Sequence, residues 1–160
     1  MNNIKLIATD IDGVWTDAKM YYTENGDFMK AFSTYDGMAV EMLRNKNIET
    51  VIITSENSNI VIKRAEKLKI KKVYIGETNK LERLKQICAN NKIKLNEIAY
   101  IGDDINDIEI LNNVGFSALS NNSPIKNHIK VDYITEKKGG DGAFREFVEI
   151  ILKENKWYYF

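Results

Sequence analysis

The stretch Thr9-Asp10-Ile11-Asp12-Gly13 sets two carboxylates two residues apart. Thr54-Ser55-Glu56-Asn57 offers a hydroxyl, Lys80 a cation, and Gly102-Asp103-Asp104-Ile105-Asn106-Asp107 three more carboxylates. Taken singly, each aspartate is an ordinary turn residue. Brought together, Asp10, Asp12, Asp103 and Asp104 would repel one another unless a cation compensated them. With only oxygen donors and no nearby His or Cys, the set suits magnesium rather than zinc. Magnesium in turn points to phosphate esters, whose hydrolysis needs a nucleophile, charge neutralisation and a proton for the leaving alkoxide. Asp10 has the chemistry to attack phosphorus, and Asp12 to protonate the leaving oxygen if its site raises its pKa. Thr54 can donate to a phosphoryl oxygen, and Lys80 supplies fixed positive charge.

These residues follow strand-like runs. The candidate strands are Ile4 to Thr9, Thr50 to Thr54, Lys72 to Ile75, Ile98 to Ile101, Gly115 to Leu119 and, shorter, Asp132 to Thr135. Most are continuously apolar, as strands covered on both faces are. Between them, apolar residues recur at helical spacing: Met38, Met42 and Leu43; Ile60, Val61, Ala65 and Leu68; Leu81, Leu84, Ile87 and Cys88; Phe144, Phe147, Val148 and Ile151. This alternation predicts an α/β fold, a Rossmann-like parallel sheet with helices on both faces, in a single domain over residues 1–160. Ligands of such sheets bind beyond the carboxyl ends of the strands, where the polar stretches lie. Ser123-Pro124 reads as the start of a short helix carrying Ile125 and Ile129. Glu24-Asn25-Gly26 predicts a β-hairpin over residues 18–32, after the first strand.

Asp10-Ile11-Asp12-Gly13-Val14, Thr54, Lys80 and Gly102-Asp103-Asp104-Ile105-Asn106-Asp107 resemble the four motifs of the haloacid dehalogenase superfamily of phosphatases, and the resemblance runs from Leu6 to Val148. It implies that Asp10 is the nucleophile, through an aspartyl-phosphate, and Asp12 the general acid and base. It further implies a magnesium ion held by the Asp10 carboxylate, the Asp12 carbonyl oxygen and Asp103, with Asp104 and Asp107 supporting the metal and Lys80. Thr54, Ser55 and Lys80 would bind the phosphate. Ser55 stands where relatives usually have glycine, so a side chain there bears on the phosphate loop.

Neither gap between motifs has room for a cap domain: Thr54 to Lys80 holds one helix and one strand, and Asp12 to Thr54 adds only the hairpin. The hairpin and Lys138-Gly139-Gly140-Asp141-Gly142-Ala143-Phe144-Arg145-Glu146 resemble the capless phosphatases of eight- and nine-carbon keto-sugar acids. That resemblance implies a homotetramer with hairpins at the subunit centre and a small-molecule sugar-acid phosphate as substrate. Glu56, where the 8-phosphate enzymes usually carry arginine, favours a nonulosonate 9-phosphate, that of KDN or N-acetylneuraminate. 3-Deoxy-D-manno-octulosonate (KDO) 8-phosphate is the alternative. Glu56, Arg64 and Lys67 are candidate substrate contacts, against the plainer reading of a helix N-terminal charge and a solvated helix face.

Twenty-three basic residues balance twenty-three acidic ones, so no bulk field recommends nucleic acid or an anionic membrane. A single cysteine, Cys88, excludes an intramolecular disulfide and points to a reducing cytoplasm. No apolar run approaches the ~20 residues of a bilayer crossing. His128 has no carboxylate partner in view and reads as a surface or packing residue and not a base. The tail, residues 155–160, ends in the apolar Trp157-Tyr158-Tyr159-Phe160, which suggests packing between subunits. A receiver-like module is the competitor from another class, but it would place its phosphoacceptor after the third strand, where this chain has Gly76-Glu77-Thr78. A catalytically silent module would have no need of the complete set.

Overall fold

Strand β1 (Leu6–Thr9) is buried at all four positions, and its side chains alternate between two apolar layers. In the computed structural model, which describes residues 4–154, Ile7 joins one layer while Leu6 and Ala8 join the other. The same alternation runs along β4 (Glu49–Ile53) and β6 (Ile98–Gly102), so helices must cover both faces. Helices α1 (Thr34–Asn45), α2 (Asn59–Lys67) and α5 (Ala143–Glu154) cover one face; α3 (Lys80–Asn91) and the short α4 (Ile108–Leu111) cover the other. Single turns of 3₁₀-helix occupy Leu95–Glu97 and Ile105–Asp107.

With β5 (Lys72–Tyr74), β7 (Phe116–Leu119) and β8 (Tyr133–Ile134), the strands form a six-stranded parallel sheet in the order β5-β4-β1-β6-β7-β8. From β1 the chain first winds outward through β4 and β5. It then returns to β6 on the opposite side of β1 and continues to β7 and β8. The winding direction therefore reverses at β1, and a crevice opens beyond its carboxyl end. The residues after β1, β4 and β6 face one another there because these strands are neighbours.

The hairpin strands β2 (Tyr21–Thr23) and β3 (Gly26–Met29) form their own two-stranded sheet. They are shorter than residues 18–32 suggest. The chain reverses at Glu24 and Asn25, and Gly26, with φ of 101°, is the first residue of β3. Gly26 acts at the close of the turn, in the manner of a bulge after a type I turn.

Two further expectations are corrected. Ser123-Pro124 opens a run of turns through His128 and not a helix. Ser123 Oγ accepts from Ile125 N, but the same hydroxyl donates to Asp103 O at 2.5 Å, which ties the segment to the loop after β6. Met38 is 54% exposed, and the core face of α1 consists of Ala39, Val40 and Leu43. Of the other residues singled out, Cys88 is buried and His128 exposed, while Trp157 to Phe160 lie outside the described residues.

Candidate active site

The loop after β1 is built to hold Asp10 still. Trp15, fully buried, packs at a tilt on Phe144 with ring centroids 4.7 Å apart and donates its indole N–H to Thr9 Oγ1 at 3.0 Å. The Thr9 hydroxyl donates in turn to Asp10 O at 2.7 Å. Ile11 O accepts from Val14 N and Trp15 N, which winds the loop into a tight turn. Gly13 is required twice over: its φ is 84°, and a Cβ there would lie 1.8 Å from Asp103 Oδ2.

Lys80, first residue of α3, reaches into this crevice with 1% of its side chain exposed. Its Nζ lies 3.0 Å from Asp10 Oδ2 and 2.6 Å from Asp107 Oδ1. The N-terminus of α3 is secured by Asn79, whose Oδ1 accepts from Glu82 N at 3.1 Å. Asp107 is fully committed. Its Oδ1 also accepts from the Tyr100 hydroxyl at 2.5 Å, and its Oδ2 from Asp103 N at 2.8 Å. Gly102 leaves room for it, since a Cβ there would lie 2.3 Å from Asp107 Oδ2.

Carboxylate oxygens of Asp10, Asp103 and Asp107 lie within 4.8 Å of one another, all three residues buried. Burial, reinforced by the charge of Asp107 and opposed by Lys80, pushes Asp10 up to about 7. Burial together with Asp10 and Asp107 pushes Asp103 up to about 8. Burial also works against the Lys80 charge, but Asp10 and Asp107 outweigh it and its pKa rises. Asp10 Oδ1 and Asp12 Oδ2 are buried without a hydrogen-bond partner. Three buried carboxylates facing the single Lys80 cation leave excess negative charge on an all-oxygen donor set, which a hard divalent cation fits.

The crevice is a cleft of about 190 Å³, and Asp10, Asp12, Thr54, Asp103 and Asp104 line it together with Ser55 and Glu56. Two larger hollows, of about 320 and 530 Å³, lie away from the site, and a third, of about 490 Å³, adjoins it at Lys80 and Asn106. Ser55 Oγ donates to Glu77 O at 3.2 Å and accepts from Asn106 Nδ2 at 3.0 Å, so this side chain ties three loops together. Asp104 Oδ1 accepts from Ile105 N at 2.7 Å, capping the 3₁₀ turn beside the cleft.

Arg64 and Lys67 stand apart from the cleft in this chain. Arg64 donates to Ser33 O at 3.2 Å and lies 5.6 Å from the centre of the Phe32 ring, while Lys67 is exposed on α2. Three contributors escape a reading by motif: Lys30, Tyr100 and Asn122. Lys30 Nζ donates to Asp12 Oδ1 at 2.6 Å. Asn122 accepts from Gly139 N at 2.6 Å and donates to Gly13 O at 3.3 Å, joining the glycine-rich loop to the loop after β1. The only signal in the sequence is a polar group where apolar neighbours would serve, as with Tyr100 inside Ile98-Ala99-Tyr100-Ile101.

A model of the haloacid dehalogenase-like hydrolase family matches residues 56–147. The chain is 33% identical over 153 residues to the 3-deoxy-D-manno-octulosonate 8-phosphate phosphatase of Haemophilus influenzae, covering 96% of this chain and 85% of the relative. The crystal structure of the corresponding phosphatase from Yersinia pestis superposes with a TM-score of 0.92 at 33% identity, covering 97% of this chain and 84% of that one. That from Moraxella catarrhalis, in complex with a magnesium ion, a phosphate ion and KDO, superposes with a TM-score of 0.91 at 37% identity, covering 97% and 90%. With the winding reversal at β1 and the carboxylate crevice beyond it, these likenesses place the chain: it belongs to the haloacid dehalogenase-like hydrolases and is a phosphoric monoester hydrolase.

Proposed function

We propose that this enzyme hydrolyses KDO 8-phosphate through an aspartyl-phosphate, with magnesium as cofactor. The observation that carries the substrate is the Moraxella catarrhalis relative, which holds magnesium, phosphate and KDO in a fold matching this chain over 97% of its length. The relatives thus favour the 8-phosphate over the nonulosonate 9-phosphates expected from Glu56. A 9-phosphate stays as the second reading because Glu56 does line the cleft.

Asp10 attacks phosphorus through its unpartnered Oδ1 as the ester P–O bond breaks, and the Asp12 carboxyl gives its proton to the leaving oxygen. Asp12 then takes a proton from water, whose oxygen attacks phosphorus. The P–O bond to Asp10 breaks, freeing inorganic phosphate and restoring the carboxylate. Thr54 donates its hydroxyl to a phosphoryl oxygen, and Lys80, fixed by Asp107, offsets charge on the nucleophile and phosphate. Asp10, Asp103 and the Asp12 carbonyl oxygen would hold magnesium, with Asp104 beside them; when bound, the ion neutralises phosphoryl charge. Glu56 is the proposed contact for the sugar.

The cleft is small and open, so the remainder of the sugar extends past it. The reading therefore includes a homo-oligomer whose neighbouring subunit closes the site. Its support is the apolar hairpin surface, with Tyr22 65% and Phe28 69% exposed. Arg64 and Lys67 are proposed to meet substrate only if their side chains turn toward the cleft, since Arg64 is held by Ser33 O and the Phe32 ring.

Phosphate release from KDO 8-phosphate, KDN 9-phosphate and N-acetylneuraminate 9-phosphate, with magnesium or chelator and beside Asp10→Asn, tests the reading. Magnesium-dependent preference for the 8-phosphate, lost in the variant, is expected. Preference for a 9-phosphate moves the substrate to the second reading, and retained turnover in Asp10→Asn removes Asp10 as nucleophile.

A further inference from the structure

We propose that Lys30, brought in by the hairpin, is a positioning residue for Asp12, holding its carboxyl where it exchanges a proton with the leaving oxygen; this rests on the acid and base role given to Asp12 above. Lys30 follows an exposed run in which Phe28 is 69% and Met29 46% exposed, yet only 1% of its own side chain meets solvent. Burying an ammonium is costly unless a specific partner compensates it. Here that partner is Asp12 Oδ1, at 2.6 Å. Among the described residues the hairpin forms no strand pairing with the main sheet, and this ion pair is a polar bridge from it into the catalytic loop.

The contact is one-sided. Lys30 Nζ at 2.6 Å and Thr16 Oγ1 at 3.4 Å both donate to Asp12 Oδ1, while Oδ2 is buried without a partner. One oxygen is gripped and the other is left for chemistry. The long Thr16 contact is a weak hold by itself, so loss of Lys30 frees the carboxyl to rotate. The other buried lysine of the site, Lys80, is committed to Asp10 and Asp107 and does not substitute.

If Lys30 acts through Asp12, its removal slows the first step, transfer to Asp10, for esters whose leaving oxygen needs a proton and spares that step for those whose leaving group departs as a stable anion; the later hydrolysis at Asp10, which also uses Asp12, slows for both. A lysine that merely staples the hairpin affects both alike. Lys30→Met and Lys30→Arg are assayed with magnesium on KDO 8-phosphate and on p-nitrophenyl phosphate. For Lys30→Met, release of the leaving group in the first turnover is expected to slow about 100-fold on the sugar ester, while first-turnover release of p-nitrophenolate loses less than about threefold. Lys30→Arg is expected to recover part of the loss, and Lys30→Met added to Asp12→Asn to cost nothing further.

Equal loss of the first-turnover rate on both esters, or none, overturns the proposal. If circular dichroism finds Lys30→Met unfolded, Lys30→Arg carries the comparison: selective loss supports the proposal and parallel loss overturns it. If the unaltered enzyme cleaves the aryl ester but no sugar-acid phosphate, the substrate reading alone falls, and its fastest alkyl phosphate replaces KDO 8-phosphate in the same comparison. If it cleaves no ester, the phosphatase reading and this proposal fall together.

Discussion

The Tyr100 hydroxyl donates to Asp107 Oδ1 at 2.5 Å from inside strand β6, and both residues are fully buried. Asp107 thereby faces Tyr100 on one side and Lys80 on the other, while its second oxygen takes the N–H of Asp103. One carboxylate, itself without solvent contact, fixes the cation beside the nucleophile and the loop that carries Asp103. Burial, with the charges of Asp107 and Asp10, drives the Tyr100 pKa well above its ordinary value, so the phenol stays a donor.

Removing either end of this contact should separate stability from turnover. Tyr100→Phe deletes one hydrogen bond to a charged acceptor that retains Lys80, and is expected to cost about 1–3 kcal/mol of stability in urea unfolding. Asp107→Asn leaves Lys80 with Asp10 alone inside the protein. Its expected cost is about 3 kcal/mol or more, with kcat reduced far more than in Tyr100→Phe. Similar kcat values for the two variants would show that Asp107 does not place Lys80.

Much of this arrangement is legible in the sequence because parallel strands put their functional residues at fixed places, immediately after each apolar run. Asp10, Thr54 and Asp103 are found that way, and the sheet order makes them neighbours. What spacing cannot convey is the contact that crosses between elements. Lys30 and Asp12 are eighteen residues apart on different elements, and nothing in a lone lysine after a hairpin strand marks it as buried. The expected helix after Ser123 fails for a related reason: the Ser123 hydroxyl is drawn to Asp103 O, and a tertiary bond overrides a local capping preference. Helix periodicity likewise misplaces Met38, because the core stripe of α1 is carried by Ala39, Val40 and Leu43.

Asp36 provides a pH dependence outside the cleft. It is fully buried on α1 and accepts from Arg145 N at 2.9 Å, near the start of α5, while its Oδ2 has no partner. Burial pushes its pKa up to about 7 from 3.8, partly opposed by the Arg145 hydrogen bond and the Arg64 charge. The folded state thus binds the proton more tightly than the unfolded chain. Its stabilising contribution is full below the unfolded value and is lost as pH rises through the folded one, with a ceiling of about 4 kcal/mol. Chemical unfolding between pH 4 and 8 should show Asp36→Asn less sensitive to pH over this window than the unaltered protein. An identical slope would mean that Asp36 is not protonated there.

The exposed hairpin residues bear on assembly. Phe28 and Tyr22 contribute little to the fold of a single chain, so Phe28→Asp should leave thermal stability of an isolated subunit nearly unchanged. If the hairpin is the subunit contact, the same change is expected to shift the sedimentation coefficient to that of a monomer and lower turnover of the sugar ester. An unchanged sedimentation profile with full activity would place the contact elsewhere or make a single chain sufficient.

Gly139 tests how tightly the glycine-rich loop must press on the catalytic one. A Cβ at this position would lie 2.0 Å from Gly13 O and 2.5 Å from Thr16 O, both backbone atoms that cannot swing aside. Gly139→Ala must therefore push the loop away, breaking the Gly139 N to Asn122 Oδ1 bond of 2.6 Å or the Gly140 N to Val14 O bond of 3.2 Å. The displaced backbone is the one that sets Asp12 and abuts Asp103. Expected outcomes are a stability loss of about 1–3 kcal/mol and a fall in kcat larger than that loss explains at a temperature where the variant is fully folded. Full activity in a folded Gly139→Ala protein would show that the carboxylates keep their places without this contact, leaving Trp15 and Thr9 to hold the loop by themselves.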